Sequence, residues 1–146
     1  MKKIITIAMI VMFLPLQSLY SKIARYEIIA LNSAYKVENL NPEKWVYLPD
    51  GSGARVDILL SDEKFYRIVF YAPGTSNRPD TLITFKVTDY DAIDNTVLFR
   101  GTVNNTPTKI KFSKIEEKSD GNSYGLIRVE DKEQISFYLI KFIGMY

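Results

Sequence analysis

The chain has 146 residues and a formal net charge of +2, and it contains neither histidine nor cysteine. The absence of histidine excludes a Ser-His-Asp triad and ordinary zinc sites, and the absence of cysteine excludes thiol catalysis and iron–sulfur clusters. A domain of this length must therefore be stabilised by its apolar core, without disulfides.

The first 21 residues have the pattern of a secretory signal peptide. Lys2 and Lys3 precede an apolar run over 4–16, and small or polar residues follow, at Ser18 and Ser21. The run is shorter than the roughly 20 residues of a transmembrane span, although an uncleaved membrane anchor is the alternative. We expect export to the periplasm or the extracellular space and no stable membrane anchor after cleavage. The lack of cysteine favours a bacterial envelope protein.

Removal of residues 1–21 would leave a domain whose net charge is zero. Both lysines of the leader would be lost, so that residues 22–146 carry 17 basic and 17 acidic side chains. This balance indicates no electrostatic footprint for nucleic acid or for an anionic membrane.

The beginning of the predicted domain contains two short strands. Apolar residues alternate over 26–30, which favours a strand, although a short helix that pairs Ile28 with Leu31 fits the same residues. Residues 45–48 predict a second strand. The Pro49–Gly53 segment predicts a turn, because proline fixes φ and glycine permits positive φ.

The segment from Arg55 to Val103 has the clearest strand pattern. Apolar residues occupy every second position in successive runs, and the intervening residues are mostly polar. The pattern predicts antiparallel strands with one face on a core and the other in water. The predicted inward positions are Ala54, Val56, Ile58, Leu60, Tyr66, Ile68, Phe70, Ile83, Phe85, Val87, Val97, Phe99, Gly101 and Val103.

Three further strands are predicted over 109–115, 124–130 and 134–143. The last of them is apolar on both faces. One face carries Ile135, Phe137 and Leu139, and the other carries Tyr138, Ile140 and Phe142.

These patterns together predict a single all-β domain over 22–146, an antiparallel meander of about eight to ten strands. Closing such a meander into a barrel removes its edges, and glycines within strands, here Gly101 and Gly125, often mark the bends of a closed sheet. A small up-and-down barrel of lipocalin-like shape is therefore favoured over a two-sheet sandwich. No family motif supports the comparison, since Glu43-Lys44 precedes Trp45 where lipocalins have Gly-x-Trp.

The strongest carboxylate cluster comprises Asp89, Asp91, Asp94 and Asn95, in a predicted loop over 88–95. Its spacing fails the EF-hand pattern, because Ile93 occupies a ligand position and no closing glutamate follows. We therefore expect a solvated turn, with no metal and no cofactor.

The remaining carboxylates do not predict an enzyme. Most of them lie in turns, where acids are usually solvated. Asp57 lies on the polar face of a strand, where Arg67 is its expected cross-strand partner. Glu27 differs from them, because apolar residues flank it in the sequence.

The predicted interior has almost no polar group. A cavity there would bind a hydrophobic small molecule. The ligand-binding positions that we predict are Trp45, Tyr66, Phe70, Phe85 and Phe99. The same pattern also fits a barrel that is filled by its own Phe and Tyr side chains.

The leading hypothesis is a non-catalytic exported domain that binds a small hydrophobic ligand. The alternative is an envelope protein–protein interaction or structural module without a small-molecule ligand. Its supporting features are the two-faced last strand and the Ala72–Asp80 loop, because loops on a rigid scaffold often carry function.

Overall fold

The computed structural model describes residues 21–34, 45–62, 64–73, 81–115 and 120–146. Every regular element in these ranges is a β-strand, and no helix in them is long and apolar enough to cross a membrane. The strands are β1 (Ser21–Ala34), β2 (Val46–Tyr47), β3 (Arg55–Ser61), β4 (Lys64–Tyr71), β5 (Thr81–Ile93), β6 (Thr96–Val103), β7 (Thr106–Ile115), β8 (Tyr124–Glu130) and β9 (Ile135–Met145).

Eight of these strands close into a barrel. From β3 to β9 each strand pairs antiparallel with the next one in the chain, and β1 pairs with both β3 and β9. The short strand β2 is additional and pairs with β1 at Ala30 and Leu31. The predicted all-β meander and its closure into a small up-and-down barrel are confirmed, and the sandwich alternative is wrong.

The interior of the barrel is apolar because each barrel strand turns one face inward, and the side chains on these faces are mainly apolar. Its largest fully buried side chains include Tyr26, Phe70, Phe85 and Phe99. Aromatic rings meet at angles in this interior, with centroids 5.0 Å apart for Phe65 and Tyr90. Burying a large apolar side chain contributes about 1.5–3 kcal/mol to the free energy of unfolding. The buried apolar side chains of the interior are therefore the main source of stability.

A β-bulge in β4 reverses the predicted orientation of Tyr66. Leu59 pairs with Arg67 and Leu60 pairs with Phe65, which leaves Tyr66 as an extra residue in β4. Phe65 takes the inward position, and Tyr66 is 42% exposed on the outer surface. The predicted inward position of Tyr66 is therefore wrong, because a bulge shifts the alternation by one residue.

A second bulge lengthens β5 into the predicted loop over 88–95. Val87 pairs with Gly101, and Asp89 pairs with Arg100, the adjacent residue of β6. Thr88 of β5 therefore has no partner in this pairing. Beyond the bulge the strand continues to Ile93, and its inward side chains are those of Tyr90 and Ala92. The loop prediction is thus wrong for most of its length.

Gly101 permits the close approach of β5 and β6 at this bulge. A Cβ atom at Gly101 would overlap the carbonyl oxygen of Lys86 and would lie 2.9 Å from the ring of Phe85. Any larger residue would therefore force the two strands apart. Of the two glycines expected at bends or bulges of the sheet, Gly101 pairs at a bulge, whereas the pairing of Gly125 shows no register shift.

Replacing Gly101 by alanine should lower the free energy of unfolding by about 3 kcal/mol, because the added methyl group overlaps main-chain atoms. Gly144→Ala is the control, since a Cβ atom there would meet its nearest neighbour at 3.8 Å, an ordinary contact. Urea denaturation of the two purified variants gives the comparison. Similar stabilities for both variants would contradict the proposed packing at Gly101.

Candidate functional site

Three of the predicted ligand-binding residues are part of the packed interior. Phe70, Phe85 and Phe99 are each 0% exposed. The ring of Phe99 lies 5.4 Å from that of Phe65, and the ring of Phe70 lies 4.9 Å from that of Tyr138. Each of these phenylalanines is covered by other side chains of the barrel and has no surface open to a ligand.

The other two predicted residues lie elsewhere. Trp45 is half-buried just before β2, and Tyr66 is on the outer surface of β4. The structure therefore brings Phe70, Phe85 and Phe99 into one cluster but does not add Trp45 or Tyr66 to it. The ligand-binding role of the five residues stays a prediction.

A buried tyrosine hydroxyl group in the interior lacks a partner among the described residues. The hydroxyl group of Tyr26 is buried, and within the described ranges it makes no hydrogen bond. Burial raises the pKa of Tyr26 above its ordinary value. Tyr138 is also buried, which raises the pKa of its phenol, but a hydrogen bond with Ser136 opposes that rise.

The outer face of β1 and β3 carries a buried carboxylate. The side chain of Asp57 is 3% exposed, although it does not point into the barrel. Arg25 donates two hydrogen bonds to it, from Nε to Oδ1 at 2.9 Å and from Nη2 to Oδ2 at 3.1 Å. This hydrogen bonding raises the pKa of Arg25 above its ordinary value, against the smaller effect of burial.

The expected pairing of Asp57 with Arg67 is wrong. Asp57 lies opposite Val69 on β4, whereas Arg25 lies directly opposite it on β1. In the sheet β1 pairs with β3, and this neighbour supplies the arginine. Arg67 is instead exposed, with its guanidinium 6.0 Å from the ring of Tyr66.

Two tyrosines complete the group that we call the Asp57 cluster, which consists of Arg25, Arg55, Asp57, Tyr71 and Tyr146. The guanidinium of Arg25 lies 4.5 Å from the ring centroid of Tyr146, and that of Arg55 lies 4.5 Å from that of Tyr71. Such stacking fixes the plane of a guanidinium while its edge stays free to donate hydrogen bonds.

The two arginines of the cluster differ in their hydrogen bonds. Nε of Arg55 is 3.7 Å from Oδ2 of Asp57, which makes an ion pair but not a hydrogen bond. This Nε is buried, and it has no hydrogen-bond partner among the residues that the structure describes. Arg25 thus makes two hydrogen bonds to Asp57, whereas Arg55 makes only an ion pair with it.

A cleft of about 560 Å³ adjoins the Asp57 cluster, and we call it the Arg55 cleft. Its described lining includes Arg25, Glu27, Arg55, Lys141, Phe142 and Ile143. Nζ of Lys141 lies 3.3 Å from Oε2 of Glu27. The cleft therefore combines charged groups with an apolar wall on the outside of the barrel.

A second cleft, of about 410 Å³, lies over β6, β7 and β8 and includes Arg100. Nη1 of Arg100 donates to Oδ1 of Asp89 and to Oδ2 of Asp91, each at 2.9 Å. These hydrogen bonds raise the pKa of Arg100 above its ordinary value. The arginine of this cleft is therefore already occupied by carboxylates of its own chain.

The predicted carboxylate cluster is divided by the structure. Asp89 and Asp91 project from the strand β5, whereas Asp94 lies in the following turn with φ at 54°. No group of three or more potential metal ligands occurs in the described part of the chain.

Comparison with known proteins gives no relative. No protein-family model, no curated protein and no solved structure matches the chain. The site is therefore interpreted from its own geometry.

Four residues of the site were not predicted from the sequence, namely Arg25, Arg55, Tyr71 and Tyr146. One signal was present, since Arg55 and Asp57 occupy alternate positions on the polar face of one strand. Arg25 meets Asp57 through the pairing of β1 with β3, and it meets Tyr146 through the pairing of β1 with β9. Neither pairing has a local signal in the sequence.

The two arginines beside Asp57 should differ in their effect on stability. Arg25→Met should lower the free energy of unfolding by about 3 kcal/mol, because it leaves a buried carboxylate without its hydrogen-bonded partner. Arg55→Met should lower it by less than about 1 kcal/mol, as expected for a partly exposed ion pair. Denaturant titration of both variants measures the difference, and equal losses would contradict the assignment.

Tyr26→Phe should leave the stability at neutral pH unchanged or slightly higher, because it removes a buried hydroxyl group that has no partner. The raised pKa of Tyr26 also makes the stability depend on pH. Above about pH 10 the unfolded state loses the phenolic proton while the folded state keeps it, so stability falls as the pH rises.

The variant lacks this titration, and its loss of stability above that pH should be shallower. Thermal unfolding of wild type and Tyr26→Phe across this pH range tests both statements, with the exposed Tyr66→Phe as the control. A loss of about 1 kcal/mol at neutral pH would show that the hydroxyl group has a partner.

Proposed function

We propose that this protein is a non-catalytic exported domain that binds a small ligand with an apolar part, and that the ligand binds on the outer surface of the barrel. The observation that carries the proposal is the filled interior, in which Phe70, Phe85 and Phe99 have no exposed surface. Opening the interior for a ligand would separate packed aromatic side chains, at a cost of about 3–5 kcal/mol for the contacts of one ring. The Arg55 cleft is open without such a change.

The carboxylates of the strands support a non-catalytic role. Those of the outer face are held in ion pairs, with Glu27 on Lys141, Asp57 on Arg25 and Glu130 on Arg128. A general acid or base must exchange a proton with its substrate, whereas these carboxylates are bound to cations of their own chain.

Export remains part of the proposal. Residues 1–20 of the expected signal peptide lie outside the described residues, which begin with β1 at Ser21. Cleavage after Ser18 would leave β1 whole. The domain would then act in the periplasm or outside the cell, without nucleic acid as a partner.

A second candidate is an envelope protein–protein interaction. The outward side chains of β9, Phe137 and Leu139, are half-buried, and Val46 and Tyr47 of β2 are exposed nearby in the sheet. Apolar groups on a strand of an outer face are typical of a protein interface. Most of the Ala72–Asp80 loop lies outside the described residues.

The test is native mass spectrometry of the protein purified from the envelope of its own host. We expect a small molecule at one per chain. Ile143→Glu should abolish its retention, because Ile143 lines the Arg55 cleft and is 47% exposed, so that folding tolerates a charge there. Phe99→Leu, in the interior, should retain the molecule.

Ile93→Glu is the matched control, since Ile93 is exposed at the end of β5 and does not line the cleft. Loss of the ligand in Phe99→Leu but not in Ile143→Glu would place the ligand inside the barrel and contradict the proposal. Co-purification of a second protein at fixed stoichiometry would favour the second candidate. A bare chain in every preparation would reject a small-molecule ligand.

A further inference from the structure

We propose that the Arg55 cleft recognises a carboxylate attached to an apolar body, and that Arg55 is the residue that binds the carboxylate. This inference rests on the proposed binding at the outer surface. It adds the chemical class of the ligand and the residue that selects it.

Arg55 is prepared to receive an anion. Its guanidinium is stacked 4.5 Å from the ring centroid of Tyr71, which fixes its plane. Its Nε is buried without a hydrogen-bond partner in the described ranges, and its side chain is 29% exposed toward the cleft. The guanidinium donors on the exposed part of the side chain can bind an oxyanion by charge-assisted hydrogen bonds.

Three other arginines among the described residues donate to carboxylates of the chain. Arg25 donates two hydrogen bonds to Asp57, Arg100 donates to two aspartates, and Arg128 donates to Glu130, although its Nε is also buried without a partner. Arg67 is exposed to water on β4 and lines neither of the two clefts. Arg55 thus lines a concave surface and has only the 3.7 Å ion pair with Asp57 as a contact with a carboxylate among the described residues.

The charges around the cleft match a single negative charge. Among the described residues, three cations, Arg25, Arg55 and Lys141, stand against two carboxylates, those of Glu27 and Asp57. The net charge of +1 suits a carboxylate better than a doubly charged phosphate, which would meet Glu27 at close range. The planar fork of arginine also matches the two oxygens of a carboxylate.

The rest of the cleft suits an apolar body. Ile143 of β9 lines the cleft and is 47% exposed. Phe142 also lines it, although its ring packs 5.3 Å from that of the buried Tyr26. The apolar surface that a ligand can reach is therefore mainly that of Ile143.

The experiment is a titration of the full-length mature protein, labelled with ¹⁵N, followed by NMR. The probes are sodium hexanoate, hexanol and inorganic phosphate at equal ionic strength. We expect hexanoate to shift the amide signals of Gly51, Arg55 and Ile143, and we expect no comparable shifts with hexanol or phosphate. Equal shifts with hexanol would overturn the role of the carboxylate, and equal shifts with phosphate would overturn the preference for a single charge.

Variants test the role of Arg55 itself. Arg55→Met should weaken hexanoate binding about tenfold, the usual effect of losing a charged hydrogen-bond pair. Arg55→Lys should also weaken it, because lysine keeps the charge but lacks the planar fork. Arg67→Met, on the neighbouring strand, should bind as the wild type does, and unchanged binding in Arg55→Met would overturn the inference.

The outcome can be separated from that of the proposed function. A ligand from the host envelope that is lost in Ile143→Glu but contains no carboxylate would leave binding at the outer surface intact and overturn only this inference. Hexanoate shifts that centre on the barrel interior would overturn both.

Discussion

Closure of the barrel rests on the antiparallel pairing of β1 with β9. The two strands pair from Ala24 to Ala34, and Ile23 and Tyr146 exchange main-chain hydrogen bonds of 2.8 and 2.9 Å. Without this pairing the meander would expose two long edges, which are prone to association with other chains. The same pairing brings Tyr146 over Arg25, so closure of the sheet also completes the Asp57 cluster.

Fold class was predictable because alternation is a local property of the chain. The inward positions in β3, such as Val56 and Ile58, follow from the period of two and agree with the structure. The errors lie at bulges, where Tyr66 turned outward and the loop after Val87 proved to be strand. A bulge depends on the register of the partner strand, and the sequence of one strand carries no clear sign of it.

The candidate site was predictable only in part. Alternation identifies Phe70, Phe85 and Phe99 as inward, but it does not distinguish side chains that line a cavity from side chains that fill a core. That distinction depends on the diameter of the barrel and on which rings meet across it. The partner of Asp57 was missed for a related reason, since Arg25 becomes its neighbour only when the first strand pairs with the third.

The Asp57 cluster contains one more cation than stability requires. A buried carboxylate needs a hydrogen-bonded counter-charge, and Arg25 supplies it with two hydrogen bonds. Arg55 adds an ion pair at 3.7 Å and leaves its own Nε without an acceptor among the described residues. A guanidinium held in this state costs desolvation and gains little from Asp57. Its position at the edge of a cleft with an apolar wall gives it a use that the fold alone does not, namely the recognition of an external anion.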